Sequence, residues 1–224
     1  MKRQLPPDAR LSKGSHAYQE EGMCTMEMVA YLAGEPHSDH PQCACPVIAA
    51  FVRRLNDAMP NAERDRLLLP VVPKLVGTRS TQDVELRRGY LAADFAVRVA
   101  APAALRAAAL RAAGLDDAAR ALESLPEVVD QDTALAAKAA ARAAAEDAWT
   151  VAADWAATRA ATAATRAADW AASKATARAA ADAADAAEAA EAADWGADTA
   201  ISAGVHEGAL KLIERMIAAG AGKA

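Results

Sequence analysis

The chain of 224 residues is poor in aromatic residues, in cysteine and in uninterrupted apolar runs. Its three cysteines, an odd number, do not make a disulfide framework, and we therefore expect a reducing, cytoplasmic setting. No run of about 18 apolar residues is without a charge, which argues against a membrane-spanning helix. The net charge of −5, from 25 Lys and Arg against 30 Asp and Glu, argues against general nucleic-acid binding, which needs a basic surface.

Alanine takes the place of these missing residue types. The chain contains 67 alanines and 53 larger apolar residues, and only six of those 53 fall between residues 132 and 200. Glycine and proline are absent from residue 132 to residue 195. Because alanine has the highest helix propensity and no breaker interrupts it, this region predicts either one long helix or a hairpin of two helices. The fold class predicted for the whole chain is all-α, with the remaining apolar residues forming one compact core.

The spacing of apolar residues and helix breakers predicts how the chain is organised. Ser15 is a suitable N-cap for a first helix that ends at Gly34, and Pro46 suits the first turn of a second helix. Pro70 and Pro73 should divide a dense apolar stretch into short helical pieces. The predicted regions are a flexible arm (1–14), a compact multi-helix domain (15–130), an Ala-rich helical arm or hairpin (131–200) and a C-terminal amphipathic helix (201–224).

Four tryptophans stand out in the Ala-rich region. Two of them belong to a repeated segment with a step of 15 residues, and each has a cation four residues later: Trp155 with Arg159, and Trp170 with Lys174. On one straight helix the four indoles would lie within an arc of about 120°, which predicts a packing seam. The apolar face of the last helix should extend this seam. The predicted seam residues are Trp149, Trp155, Trp170, Trp195, Leu210, Ile213 and Ile217.

One cluster of side chains has the composition of a metal-binding site. His37, His40, Cys43 and Cys45 lie within nine residues, and two imidazoles with two thiolates would make a tetrahedral zinc site. The alternative ligands, or groups that would support the site, are Cys24, Glu27 and Asp39. Glu27 is the only charge between Gly22 and Gly34, so its carboxylate needs a partner or a raised pKa.

The same cluster also allows a purely structural interpretation and a catalytic one. In the first, Ser38 or Asp39 caps a helix, the cysteines are small core residues, and His40 bonds Glu27 or a carbonyl. In the second, Cys43 or Cys24 is a nucleophile and His40 its base. The residue pattern leaves all three interpretations open.

A group of segments in the chain carries a resemblance: Met26–Glu35, Ser38–Pro41, Cys43, Pro46, Leu75–Thr78 and Leu212–Ile217. These segments resemble a family of alanine-rich hypothetical proteins of high-GC bacteria and their phages. The resemblance covers about the first 125 residues and the segment Leu212–Ile217. No activity is established for that family, so the resemblance implies a bacterial or phage cytoplasmic setting and no catalytic residues.

These observations predict a non-enzymatic interaction or scaffold protein that forms homo-oligomers through its Ala/Trp-rich helical region. The alternative is a zinc-dependent enzyme or ligand-binding protein that uses the cluster at 24–45. A more remote alternative is an ice-binding helix, because Thr165 and Thr176 keep an eleven-residue step.

Overall fold

A computed structural model describes residues 3–109, 114–152, 154–193 and 199–221, and within these ranges it contains helices and no strand, which confirms the predicted all-α fold. None of these helices combines the length and apolarity that a bilayer crossing requires. The helices are α1 (Thr25–Ala33), α2 (Pro46–Ala58), α3 (Asn61–Leu68), α4 (Val72–Leu75), α5 (Gln82–Phe95), α6 (Ala101–Ala109), α7 (Leu115–Glu123), α8 (Gln131–Ala152), α9 (Trp155–Ala172), α10 (Thr176–Ala193) and α11 (Thr199–Ala218).

The first helix begins nine residues later than predicted. Its N-cap is Cys24 and not Ser15, and the preceding segment is irregular apart from a 3₁₀ turn at Gln19–Glu21. A capping box explains the shift, because Glu27 and Cys24 satisfy each other's backbone N–H groups. The end of the helix was predicted correctly. Gly34 terminates it in the left-handed region with φ 74°.

Prolines shape the next helices as expected. Pro46 stands in the first turn of α2, and the stretch with Pro70 and Pro73 is divided between α3 and α4. A π-helical turn at Ala96–Ala100 joins α5 to α6. The aromatic rings of Phe51 and Phe95 meet edge to face at 5.9 Å in the core between α2 and α5.

The Ala-rich region forms three helices, so the expectation of one long helix or a two-helix hairpin was wrong. The first turn ends with Asp154, whose Oδ1 accepts a hydrogen bond from Ala157 N and caps α9. At the second turn Lys174 adopts a left-handed conformation with φ 62°. Neither turn contains glycine or proline, so the sequence carries no helix-breaking residue at either position.

These three helices pack on the N-terminal helices and do not form a projecting arm. Helix α9 packs against both α8 and α10, and α10 also packs along α2 and α5. The alanines that face these contacts are buried, nine of them on α9 alone. The proposed division of the chain at residues 130 and 200 stays a prediction.

The C-terminal helix packs back onto the core. Arg88 of α5 is buried beneath it and donates from Nε to the Met216 carbonyl at 2.6 Å and from Nη1 to the Thr78 carbonyl at 2.8 Å. Ile213 and Met216 are buried, while Leu210 and Ile217 are half-buried against the same core. The three residues of α11 that were predicted to extend the tryptophan seam are therefore used within the chain.

The contact between α5 and α10 generates a prediction about Gly89. A Cβ added at Gly89 would lie 2.6 Å from Thr176 Cγ2 and 3.1 Å from its Cα, so part of the clash is with backbone. We expect Gly89→Ala to lower the free energy of unfolding by about 1–3 kcal/mol. Gly204 of α11 has no such neighbour within 4 Å, and Gly204→Ala should raise it by about 0.5–1 kcal/mol. Urea unfolding measures both changes. If the two substitutions change the free energy of unfolding in the same direction, this packing of α5 on α10 is contradicted.

Candidate functional site

The buried carboxylate of Glu27 is the centre of the 24–45 cluster. Glu27 is 1% exposed, and its two oxygens accept hydrogen bonds from His16 N at 2.6 Å, Cys24 N at 2.7 Å and His16 Nδ1 at 2.8 Å. Burial by itself would raise the pKa of Glu27, but these donors outweigh it and the pKa is lowered. The expectation that Glu27 needs a partner is confirmed, and its partners hold the irregular N-terminal segment on α1.

The two predicted imidazole ligands are turned to different surroundings. His37 is mostly buried; its Nε2 lies 3.0 Å from the His16 carbonyl oxygen and 3.7 Å from Glu27 Oε1. Its Nδ1 is buried without a hydrogen-bond partner among the described residues. His40 is exposed and pairs through Nδ1 with Asp39 Oδ1 at 2.6 Å.

The cysteines occupy structural positions. Cys45 is the buried N-cap residue of α2, and its N–H donates to Thr78 Oγ1 at 3.1 Å. The N–H of the half-buried Cys43 donates to Glu35 Oε1 at 2.8 Å. Burial raises the pKa of Cys24 to about 12 and also raises that of Cys43, so both remain thiols at neutral pH. These environments do not activate Cys24 or Cys43 as a nucleophile, because activation needs a lowered thiol pKa.

The four predicted zinc ligands are therefore not brought together. Across the described ranges, no three His, Cys, Asp or Glu side chains are placed to share one metal ion. The physical reason is that His37 is engaged beside Glu27 while Cys45 caps a helix. Zinc binding stays a prediction from the sequence pattern. Two members of the cluster do meet, because Cys24 and Asp39 line one cavity beside α2.

The tryptophan seam is split between two environments. Trp149 at the end of α8 is 60% exposed and Trp155 at the start of α9 is 64% exposed. Arg159 lies over the Trp155 ring at 5.3 Å, as its spacing predicted. Trp170 is half-buried and is covered by Arg178 at 4.7 Å, not by Lys174, because α9 ends at Ala172 and Lys174 lies in the turn. Trp195 lies outside the described residues.

A groove of about 360 Å³ runs between α8 and α9 beside Trp149. Three of the threonines along it donate their hydroxyl hydrogen to the carbonyl one helical turn earlier: Thr150 to Glu146, Thr158 to Asp154 and Thr165 to Ala161, all within 2.7–2.8 Å. Because these hydroxyls are satisfied by their own helix, their methyl groups are left for the groove. We call this face, with Trp149, Trp155, Ala145, Thr158, Thr162 and Thr165, the α8–α9 surface.

Thr165 belongs to α9 and Thr176 to α10, so their eleven-residue step does not follow one helix face. The geometric basis of the ice-binding alternative is therefore absent.

His206 of α11 is buried between two carboxylates. Its Nδ1 lies 3.2 Å from Glu63 Oε2 on α3, and its Nε2 lies 2.7 Å from Glu191 Oε1 on α10, an ion-pair contact outside hydrogen-bond angles. The contact with Glu191 raises the pKa of His206 above its ordinary value, while burial and Arg66 act in the opposite direction. Neither acidic partner is near His206 in sequence, so no local pattern could have revealed the contact.

The chain matches no family model, no curated protein and no solved structure with which it was compared.

The hydrogen bonds of Glu27 predict an acid-dependent contribution to stability. Since its folded pKa lies below the unfolded value of about 4.3, the contribution is present above that pH and is lost as pH falls through the folded pKa. Glu27→Gln should cost about 2–3 kcal/mol at pH 7 and less in acid. Denaturant unfolding from pH 7 down to about 3 tests this. Glu20→Gln, at an exposed position nearby, is the matched control and should change little. An equal loss at every pH would contradict the role of the charge.

The two carboxylates around His206 predict the opposite pH dependence. Because its folded pKa is raised, the stabilisation is fully present below the unfolded value of about 6.5 and is lost as pH rises through the folded pKa. His206→Gln should flatten the fall in unfolding free energy between about pH 6 and pH 8. His40→Gln, at an exposed ion pair, should have only a small effect on stability. If the free energy of unfolding of His206→Gln depends on pH as it does in the wild type, His206 is not stabilised by these two carboxylates.

Proposed function

We propose that this protein is a non-enzymatic interaction protein that self-associates through the α8–α9 surface. The observation that carries the proposal is the exposure of two indoles, Trp149 and Trp155, on the two helices that form the groove. Trp149 lines this groove, and threonine hydroxyls along it bond carbonyls of their own helices. Exposed large apolar side chains grouped beside a groove are typical of protein–protein contact sites, in which tryptophan is enriched.

Covering these indoles contributes favourably to association. Each exposed indole presents roughly 120 Å² of apolar area, so burying it is worth on the order of 3 kcal/mol. Two copies contribute four such indoles, or about 12 kcal/mol, against an association cost of about 4–15 kcal/mol. Covering the groove beside Trp149 adds further apolar area.

The charges beside the groove favour a second copy of the same chain as the occupant. Arg142 and Glu146 stand one turn apart on α8 and form an ion pair with an N–O distance of 3.1 Å. A two-fold arrangement of antiparallel α8 helices places the positive position of one copy beside the negative position of the other. The surface is therefore complementary to itself in charge as well as in its apolar character.

A cytoplasmic location belongs to the same proposal. All three cysteines are free thiols, and two of them are buried in the core. Thiols that remain reduced suit a reducing compartment.

The proposal predicts a concentration-dependent oligomer that weakens when either indole is removed. Sedimentation equilibrium should show association of the wild-type chain, with Kd raised about 10- to 100-fold by Trp149→Ala or Trp155→Ala. Tyr18→Ala removes an aromatic side chain that is 67% exposed outside this surface and serves as the matched control. Its association constant should match that of the wild type.

Two results would overturn this proposal. A wild-type chain that remains monomeric up to about 500 µM would exclude self-association of useful affinity. An oligomer that survives both tryptophan substitutions would place the interface elsewhere on the molecule.

A further inference from the structure

A polar cavity of about 290 Å³ lies on the side of the protein formed by α2, away from the residues of the α8–α9 surface. Helix α2 contributes Ala50, Arg53 and Asp57, which recur at steps of three and four residues and so share one face. The irregular N-terminal segment, Asp39 of the 34–45 loop and Ala181 of α10 complete the walls. The cavity is thus assembled from segments distant in sequence.

Arg53 brings an incompletely satisfied guanidinium to this cavity. Its Nη1 donates to the Asp39 carbonyl oxygen at 3.0 Å, and its Nε lies 4.0 Å from Asp39 Oδ2. Within the described ranges no further hydrogen bond engages this side chain, although a guanidinium carries five N–H donors. Burial lowers the pKa of Arg53, and Asp39 opposes that shift. The remaining donors suit a carboxylate, which a guanidinium binds in bidentate geometry.

Two carboxylates supply the opposite charge. Asp57 Oδ1 accepts hydrogen bonds from Gly14 N at 2.8 Å and Asn56 Nδ2 at 2.9 Å, which fix the orientation of the group. Among the described residues no hydrogen bond reaches its second oxygen. Asp39 also lines the cavity, and its Oδ1 is held by His40. A cation inside the cavity would therefore meet acceptors that are already positioned.

The second arginine of the cavity, Arg54, is more exposed than Arg53 and forms an ion pair with α10. Arg54 Nη1 lies 3.5 Å from Asp185 Oδ1 on α10. Asp185 also lies 3.9 Å from Arg166, so its charge is compensated from two sides. The lining therefore holds two guanidiniums and two carboxylates, a balance of charge that disfavours a dianion and a plain carboxylic acid.

We propose that this cavity binds a small zwitterion, a free α-amino acid with a small apolar side chain. Its carboxylate binds the guanidinium of Arg53, and its ammonium group lies between Asp57 and Asp39. The side chain faces the small apolar walls made by Cys24, Ala50 and Ala181. The volume is at the lower end of the range of about 300–1,000 Å³ that is common for ligand pockets, which limits the ligand to a single small molecule.

Isothermal titration of the full chain with L-alanine, L-valine and L-leucine tests this proposal. We expect one site per chain with a Kd between about 1 µM and 1 mM for at least one of them. The N-acetyl and amide derivatives of the same amino acid lack one charge each, and each should bind at least about 10-fold more weakly. If both derivatives bind as well as the parent amino acid, the zwitterion proposal is wrong.

Variants of the cavity provide the second arm. Arg53→Gln and Asp57→Asn should each weaken binding at least about 10-fold, with Arg53→Lys intermediate because it keeps the charge and loses the planar fork. Asp57→Asn keeps an acceptor for Gly14, and its unfolding midpoint shows whether the fold is retained. Arg66→Gln, exposed on α3, is the matched control and should bind as the wild type does.

A complete absence of amino-acid binding would overturn the proposal. If none of the three amino acids at about 10 mM gives a heat of binding or raises the unfolding temperature, the binding proposal is wrong. Arg53, Asp39 and Asp57 would then be an ion network that holds the N-terminal segment in place. Because the cavity and the α8–α9 surface share no lining residue, this result would leave the self-association proposal untouched.

Discussion

The close packing of alanine against alanine is the constraint on which the rest of this structure depends. Helices α9 and α10 bury almost only methyl groups, and α10 passes so near α5 that Gly89 faces Thr176 without room for a Cβ. Small side chains let helix axes approach toward the lower end of the usual range of about 8–10 Å. Each buried methyl contributes only about 0.8 kcal/mol, so stability comes from the number of these contacts and from their close fit.

This packing also explains why large side chains stand on the outside of the Ala-rich region. An interface built from methyl groups has no room for an indole, so Trp149 and Trp155 are placed where α8 and α9 face away from the other helices. The same helices turn their threonine hydroxyls inward and their methyl groups outward. The face that results is apolar and flanked by both signs of charge, which is the physical basis of the proposed self-association.

In the irregular N-terminal segment, buried polar groups provide the stabilisation that alanine packing provides in the Ala-rich helices. The carboxylate of Glu27 gathers the backbone N–H groups of His16 and Cys24, and Asn56 donates from Nδ2 to the Ser12 carbonyl at 3.0 Å. These bonds fasten an irregular segment that has few large apolar residues of its own. The polar cavity beside Arg53 is a consequence, because the fastened segment closes over one face of α2 without filling it.

Local chemistry was sufficient to predict the all-α class, the left-handed end of α1 at Gly34, the place of Pro46 and the pairing of Trp155 with Arg159, because each depends on residues within one or two turns. It also showed that Glu27 must have a partner. The tertiary structure alone decided that His16 is that partner, that Trp170 is covered by Arg178 and that His206 lies between Glu63 and Glu191. It likewise decided that the Ala-rich region forms three helices. Alanine favours a helix of any length, so the positions of the turns depend on the packing of α10 against α2 and α5. Propensity and spacing act along the chain, whereas these contacts join residues that are 8 to 143 positions apart in sequence and exist only once the helices have packed.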